Sequence, residues 1–181
     1  NQAQVTAADN DGGNGTVHVI NSVLLPFETV VDVAIDGGYT SLDAALVKAE
    51  LYPALLNPFS TLTVFAPTND AFAALATALE TDINGVLNRS DLADILKNHV
   101  LATEVFAKDI TNGLTAASLQ GSTLTFTLSP TKVDDANITS TDISSDNGVV
   151  HVIDAVLVLK TSNVSDYTNS TSMEIYPNPT V

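Results

Sequence analysis

The spacing of apolar and polar positions changes character along the chain. From residue 26 the spacing is helical. In "PFETVVDVAIDGG" the residues Val30, Val31, Ala34 and Ile35 recur at intervals that put side chains on one helix face, and the run stops at Gly37-Gly38. "TSLDAALVKAEL" repeats the pattern with Leu42, Ala45, Leu46 and Ala49, opened by Thr40 or Ser41 as N-cap. After "YPALLNPF", a short helical piece bounded by prolines, the apolar run "TLTVFA" at 61–66 predicts a buried strand. "PTNDAFAALATAL" predicts a helix capped by Thr68 or Asn69, with Asp70 in the first turn and Phe72, Leu75 and Leu79 inward. "SDLADILKNHVL" at 90–101 predicts another, with Leu92, Ile95 and Leu96 inward.

Beyond residue 101 the period falls to two, in segments rich in Thr and Val: 118–128, 131–139 and 148–159. Helices first and strands mostly later predict an α+β fold rather than an alternating one. Residues 161–181 have no period, and eleven of these 21 are Ser, Thr or Asn, a linker composition.

A repeat links the start of the chain to its last strand segment. Residues 5–25, "VTAADNDGGNGTVHVINSVLL", align without a gap on 138–158, "ITSTDISSDNGVVHVIDAVLV", with ten of 21 positions identical. Asn14-Gly15 and Asn147-Gly148 each precede Val-His-Val-Ile, a tight turn feeding a strand. Asp9, Asp11 and Asn14 also suggest a calcium loop, but a loop opening at Asp9 needs Gly at its sixth position and Glu at its twelfth. Here those positions hold Asn14 and Ile20, and the second copy replaces Asp11 by Ser144. The shared chemistry is therefore turn and strand. Residues 1–25 read as the terminal strand of a truncated preceding domain, and 26–160 as one complete domain.

Composition narrows the function. The 181 residues are 45% AVILMFWYC and 15% charged, a globular balance. Twenty-one acids against six Lys and Arg give a net charge of −15, which repels phosphate backbones and argues against nucleic acid and anionic membranes as partners. No apolar run approaches the ~20 residues of a membrane span, so no membrane insertion is expected. The absence of cysteine excludes disulfides, thiolate metal sites and thiol nucleophiles. There is no P-loop, no G-x-G-x-x-G fingerprint and no G-x-S-x-G elbow, so no cofactor and no enzymatic activity are expected. Asp134, Asp135, Asp142 and Asp146 read as solvated acidic loops rather than a metal site.

The segments "TVFAPTNDAF" (63–72) and "NGVVHVIDAVL" (147–157), with "LKNHVL" (96–101) and "SLQGSTLTF" (118–126) between them, resemble the fasciclin-like domain, and "SLDAALVKAEL" (41–51) fits its early helix. The resemblance covers essentially all of 26–160. It implies a wedge-shaped β-sandwich with a cluster of helices, tandem copies, and a non-enzymatic, extracellular role in cell adhesion. Family adhesion motifs, a Tyr-His pair and an Asp-Ile pair flanked by aliphatics, map onto Asn98-His99 before Val100 and Leu101, and onto Asp142-Ile143. Asn98 stands where the family has Tyr, Ser140-Thr141 where it has Glu-Pro, and Ser144 where it has Met. These six residues are the candidate partner-binding site. A second stretch, "MEIYPNPT" (173–180), resembles the opening of the C-terminal sorting domain of type IX secretion, which implies a bacterial cell-surface or secreted protein.

The partner expected on these grounds is a surface protein or an extracellular polymer. The alternative is a carbohydrate-binding accessory module, which an exposed cluster of Tyr39, Tyr52 and Tyr167 would favour. His18 and His151, each between valines in a strand, read as structural histidines, and His99 as a helix-terminal one. Because residues 16–25 nearly duplicate the domain's last strand, they also predict a strand-mediated homodimer.

Overall fold

A computed structural model describes residues 4–21 and 27–159; the linker and sorting resemblance of 161–181, with Tyr167, lie outside the described residues. Two strands, β1 (Val5–Asp11) and β2 (Thr16–Ile20), form a separate antiparallel hairpin. The rest begins with α1 (Val30–Asp36), α2 (Thr40–Lys48) and α3 (Tyr52–Leu55). Strand β3 (Leu62–Pro67) leads to α4 (Asn69–Ala78), α5 (Ile83–Leu87) and α6 (Leu92–Asn98). Strands β4 (Val100–Leu101), β5 (Thr115–Ala117), β6 (Thr123–Leu128), β7 (Thr131–Val133), β8 (Ala136–Ser145) and β9 (Gly148–Ile153) complete the chain, with a 3-10 turn at Ala107–Asp109. The fold is mixed α+β.

Seven strands pair in the order β4-β3-β9-β8-β7-β6-β5. At the centre β3 and β9 run parallel, Leu62 opposite Gly148 through Pro67 opposite Ile153, and every residue of both is buried. That is why 61–66 reads as a continuous apolar run, and why β9, expected to alternate, is instead buried at every position. The sheet does not lie flat. Phe65 on β3 and Phe126 on β6 are four strand intervals apart, roughly 19 Å in a flat sheet, yet their ring centroids are 5.7 Å apart. The strands therefore fold over one another. A bridge between Leu101 and Ser118, and the bond from Leu119 N to Val100 O (2.8 Å), bring the far end of the order back to β4. One apolar cluster unites the helices with β3 and β9, through residues such as Leu42, Phe72 and Leu96. A second, with Phe65, Leu101, Leu124 and Phe126, fills the fold-over.

Several expectations shift in detail. Ile35 and Leu79 are exposed, and Val33 is buried instead of Ile35. Helix α1 is enclosed by α2, α3, β3, β8 and β9, which buries more than one stripe of it, and Leu79 lies past the last turn of α4 as its C-cap. Neither Thr40 nor Ser41 caps α2, which has Tyr39 at its N-cap; the Asn69 side chain accepts from Ser41 N (2.9 Å) instead. Thr68 caps α4 as expected. The segment 118–128 is not one strand, because Gly121 at φ +96° turns the chain between β5 and β6. The last strand stops at Ile153, and α5 gave no clear periodic signal.

The repeat is larger than one strand. Register is the same in both hairpins: Val5 faces Ile20 as Ile138 faces Ile153, and Asn10 faces Val17 as Ile143 faces Val150. The irregularities recur at the same places, with Asp9 at φ 54° and Asp142 at φ 58°. Asp9 N donates to His18 Nδ1 at 3.2 Å, and Asp142 N to His151 Nδ1 at 3.2 Å. Thr6 Oγ1 to Val19 O and Thr139 Oγ1 to Val152 O are likewise both 3.2 Å. The acids of the calcium-like stretch shape this turn: Gly13 N donates to Asp11 Oδ1 (2.8 Å).

Candidate functional site

The two sequence motifs meet in one row across four strands. Phe65 N on β3 donates to His99 O at the entrance to β4 (2.8 Å). Phe65 is also the register partner of His151 on β9, and the two rings stack at 5.6 Å and 24°. His151 Nδ1 then accepts from Asp142 N on β8. The row His99–Phe65–His151–Asp142 thus joins Asn98-His99 on one side to Asp142-Ile143 on the other.

Its ends differ. His99 is buried at the end of α6. Its Nε2 accepts from Leu157 N (2.8 Å), which puts the proton on Nδ1, and that N–H donates to Ile95 O (2.7 Å). Burial lowers its pKa to about 4, the bond to Ile95 opposing the shift only in part. His151 has the opposite tautomer, with Nε2–H donating to Val105 O (2.7 Å). Burial lowers its pKa too, against the bond to Val105 and the charge of Asp142. Both rings spend both nitrogens on backbone groups, so neither is a free general base.

Asn98 is buried beside His99. Its Nδ2 donates to Leu157 O (3.2 Å) and its Oδ1 accepts from Ser122 Oγ. It forms part of a cleft of about 400 Å³ lined also by Gln120, Ser122, Thr123, Asp134 and Val158. Val100 pairs with Val64, and Leu101 belongs to the second apolar cluster; both are buried. Of the six candidate residues, Ile143 is half-buried against the helical cluster and Asp142 alone is exposed.

Asp142 sits in the left-handed region at the β8 irregularity, a conformation Asp tolerates better than most residues. Its Oδ1 accepts from Ala107 N (2.8 Å), which ties β8 to the loop 102–109. Thr63 pins the same loop from below, donating to Thr103 O (2.7 Å) and accepting from Val105 N (2.8 Å). Around this junction Ser140, Thr141, Asp142 and Ser144 of β8 and Thr103, Glu104 and Lys108 of the loop are exposed. The ammonium of Lys108 lies 5.3 Å from the centroid of Phe106. Thr63 and Ala107 escaped the sequence reading, though a threonine inside "TLTVFA" was a visible polar exception. Among the described residues no three His, Asp or Glu converge as a metal site would require. No described helix is long and apolar enough to cross a membrane.

The fasciclin domain family matches residues 37–159. This chain belongs to that family. Protein sll1483 of Synechocystis is 40% identical over 135 residues, covering 72% of this chain and 73% of its own. The transforming growth factor-beta-induced protein ig-h3 of Oryctolagus cuniculus is 32% identical over 87% of this chain, and human periostin 29% identical over 87%. The fasciclin chain spans only 23% of that ig-h3 and 19% of periostin. Among solved structures, a FAS1 domain pair from the insect cell adhesion molecule Fasciclin I superimposes with a TM-score of 0.63 at 21% identity, covering 87% of this chain and 60% of that one. That likeness establishes the shared fold.

Proposed function

We propose that the chain is an extracellular, cell-surface adhesion module that binds a protein or matrix polymer without chemistry. The observation that carries this reading is the exposed junction around Asp142, where hydrogen bonds of His151, Ala107 and Thr63 hold β8 and the loop together. A preformed surface costs little ordering on binding. The buried residues Asn98, His99, Val100 and Leu101 act as the frame, connected to that face through Phe65 and His151. Glu104 and Asp142 outnumber the single ammonium of Lys108 on this surface, which fits a partner carrying cationic groups and an affinity that falls with salt. The run Tyr176-Pro177-Asn178-Pro179 supports export to a bacterial surface through type IX secretion.

A second reading has its own observation. The cleft beside Asn98 presents amide, hydroxyl and carboxylate groups suited to a sugar. Tyr39 and Tyr52 do not supply an aromatic platform: both pack on the helical core, and the Tyr52 hydroxyl donates to Asp43, pushing its pKa up to about 12.

One experiment separates the readings. Binding is measured on a panel of immobilised surface proteins and polysaccharides from the source cell. Asp142→Asn keeps the left-handed turn and the bond to Ala107 while removing the charge; on the adhesion reading it weakens binding about tenfold and flattens the salt dependence. Gln120→Ala with Thr123→Ala leaves binding unchanged. The reverse pattern favours the cleft and a sugar, and insensitivity to both sets overturns the face as the contact.

A further inference from the structure

Asparagine followed by glycine is a chemically labile pair. The peptide nitrogen of the glycine can attack the side-chain carbonyl carbon of the asparagine, and glycine has no side chain to shield that nitrogen. Four such pairs occur in the chain: Asn14-Gly15, Asn84-Gly85, Asn112-Gly113 and Asn147-Gly148. The fold treats them differently.

Asn147 is buried, and its amide is held on both sides. Its Oδ1 accepts from Val30 N (2.9 Å), and its Nδ2 donates to Leu55 O (2.7 Å) and Asn57 O (3.2 Å), so ammonia cannot leave without breaking those bonds. Asn84 lies inside α5, where Gly85 N donates to Asp82 Oδ1 (2.7 Å); closing a ring there would break the helix start. Asn112 is exposed, yet Gly113 N donates to Phe126 O (2.8 Å) and Asn112 Oδ1 accepts from Leu128 N (3.4 Å). Its attacking nitrogen and its carbonyl are both occupied. Asn14 is as exposed as Asn112 and has neither restraint. Its side chain and the N–H of Gly15 make no hydrogen bond among the described residues. The bond from Gly12 N to Gly15 O (2.8 Å) holds the turn but leaves the Gly15 nitrogen open. A Cβ on Gly15 would meet nothing within 4 Å, so no neighbour crowds the pair.

We propose that Asn14 is a site of spontaneous deamidation, and that of the four pairs it alone converts in the folded chain. Gly15 N gives up its proton to solvent and bonds to Asn14 Cγ. The Cγ–Nδ2 bond breaks, and the amide nitrogen takes up a proton and leaves as ammonia, with a cyclic imide behind it. Water then opens the imide at either carbonyl. One opening gives aspartate at position 14; the other gives isoaspartate, whose main chain runs through the side-chain carbon. Both products add a carboxylate to the turn between β1 and β2, and isoaspartate also lengthens that turn by one carbon. The site rests on the turn chemistry alone, so it stands or falls independently of the surface around Asp142.

The full chain tests it. Folded protein, and protein unfolded in guanidinium chloride, are incubated in mildly alkaline buffer made with heavy-oxygen water. Peptide mapping by mass spectrometry then locates each product, with fragmentation that separates aspartate from isoaspartate. In the unfolded chain all four pairs convert, which sets the period of the experiment. In the folded chain Asn14 is expected to convert at close to the unfolded rate, as a mixture of both products carrying the heavy oxygen. Asn112 is expected to convert about tenfold more slowly or less, because freeing its reacting groups breaks two hydrogen bonds. Gly15→Val, for which the turn has room, suppresses conversion at Asn14 by covering the nitrogen. If Asn14 and Asn112 convert alike or are protected alike, or if Gly15→Val leaves conversion at Asn14 undiminished, the proposal is overturned.

Discussion

The hairpins β1–β2 and β8–β9 share register, irregularities and the histidine bond to the bulged aspartate, yet every residue of β9 is buried and every residue of β2 is exposed. Local chemistry therefore specifies the hairpin on its own: Asn-Gly for the turn, an aspartate in the left-handed region, a histidine to hold it. What differs is the energy available. Burying Val150, Val152 and Ile153 contributes about 1.5–3 kcal/mol each, whereas their counterparts Val17, Val19 and Ile20 are 56%, 49% and 36% exposed and gain a fraction of that. An isolated pair of strands is marginal in water, while the same pair inside the body is part of its core.

The largest break in this comparison comes from Asn147, whose side chain accepts from Val30 N (2.9 Å) and donates to Leu55 O (2.7 Å). Asn147→Ala leaves the buried Val30 N–H and Leu55 carbonyl without partners, and each such loss costs about 1–3 kcal/mol. A total of roughly 3–5 kcal/mol is expected, read as a lower urea midpoint at unchanged slope. Asn14→Ala, on the exposed copy, is expected to move the same midpoint by less than about 0.5 kcal/mol. Equal effects in the two copies would show that burial does not set the difference between them.

Acid acts on the body through groups the first hairpin cannot bury. His99 has a folded pKa of about 4 against an ordinary value of 6.5, so the unfolded chain binds the extra proton between those values. Stability is full above pH 6.5 and falls as pH drops toward 4, by roughly 3 kcal/mol for a shift of this size. His151, also lowered, adds in the same direction. Asp32, held below its usual value by Thr29, acts with the same sign in a lower window: its stabilisation is present above about 3.8 and is lost only as pH falls further. Denaturation curves between pH 7.5 and 4 check the first window. His99→Gln is expected to lower stability at neutral pH and to remove most of the slope; an unchanged slope would assign it to other groups.

These contrasts also mark what the sequence could and could not carry. Helical period placed α1, α2, α4 and α6, and dense apolar runs placed β3 and β9, whose residues are buried on both faces. The repeat was visible as identity, and its second strand was hidden only because β1 and β8 agree at few positions: Thr6 and Thr139, Asp9 and Asp142. The fold-over that brings Phe126 to Phe65 was not legible, since pairing between distant strands leaves no local period. For the candidate site, the motif residues were found but not their exposure. His99 is followed by two apolar residues in either case, and nothing local distinguishes a buried helix end from a surface one. Thr63 and Ala107 act through backbone bonds to a loop, which leaves no residue-type signature.

The smallest test exchanges the copies at their one difference within the last strand. Gly148–Ile153 and Gly15–Ile20 differ only at Val149, fully buried, where the first copy has Thr16, exposed. Val149→Thr keeps the β-branched shape and puts a hydroxyl into the core. If a neighbouring carbonyl accepts from it the cost is small, and if none does the cost is about 1–2 kcal/mol. Thr16→Val makes the reciprocal change in water and is expected to leave the midpoint within about 0.3 kcal/mol. A loss of under about 0.5 kcal/mol for Val149→Thr would mean that the body tolerates the first copy's strand in its own slot. The two hairpins would then be interchangeable at this position, and the choice between them would lie in β8, where Ile143 packs on the helical core and Asn10 could not. A loss of 1–2 kcal/mol would instead place part of that choice in β9 itself, in a single methyl group exchanged for a hydroxyl.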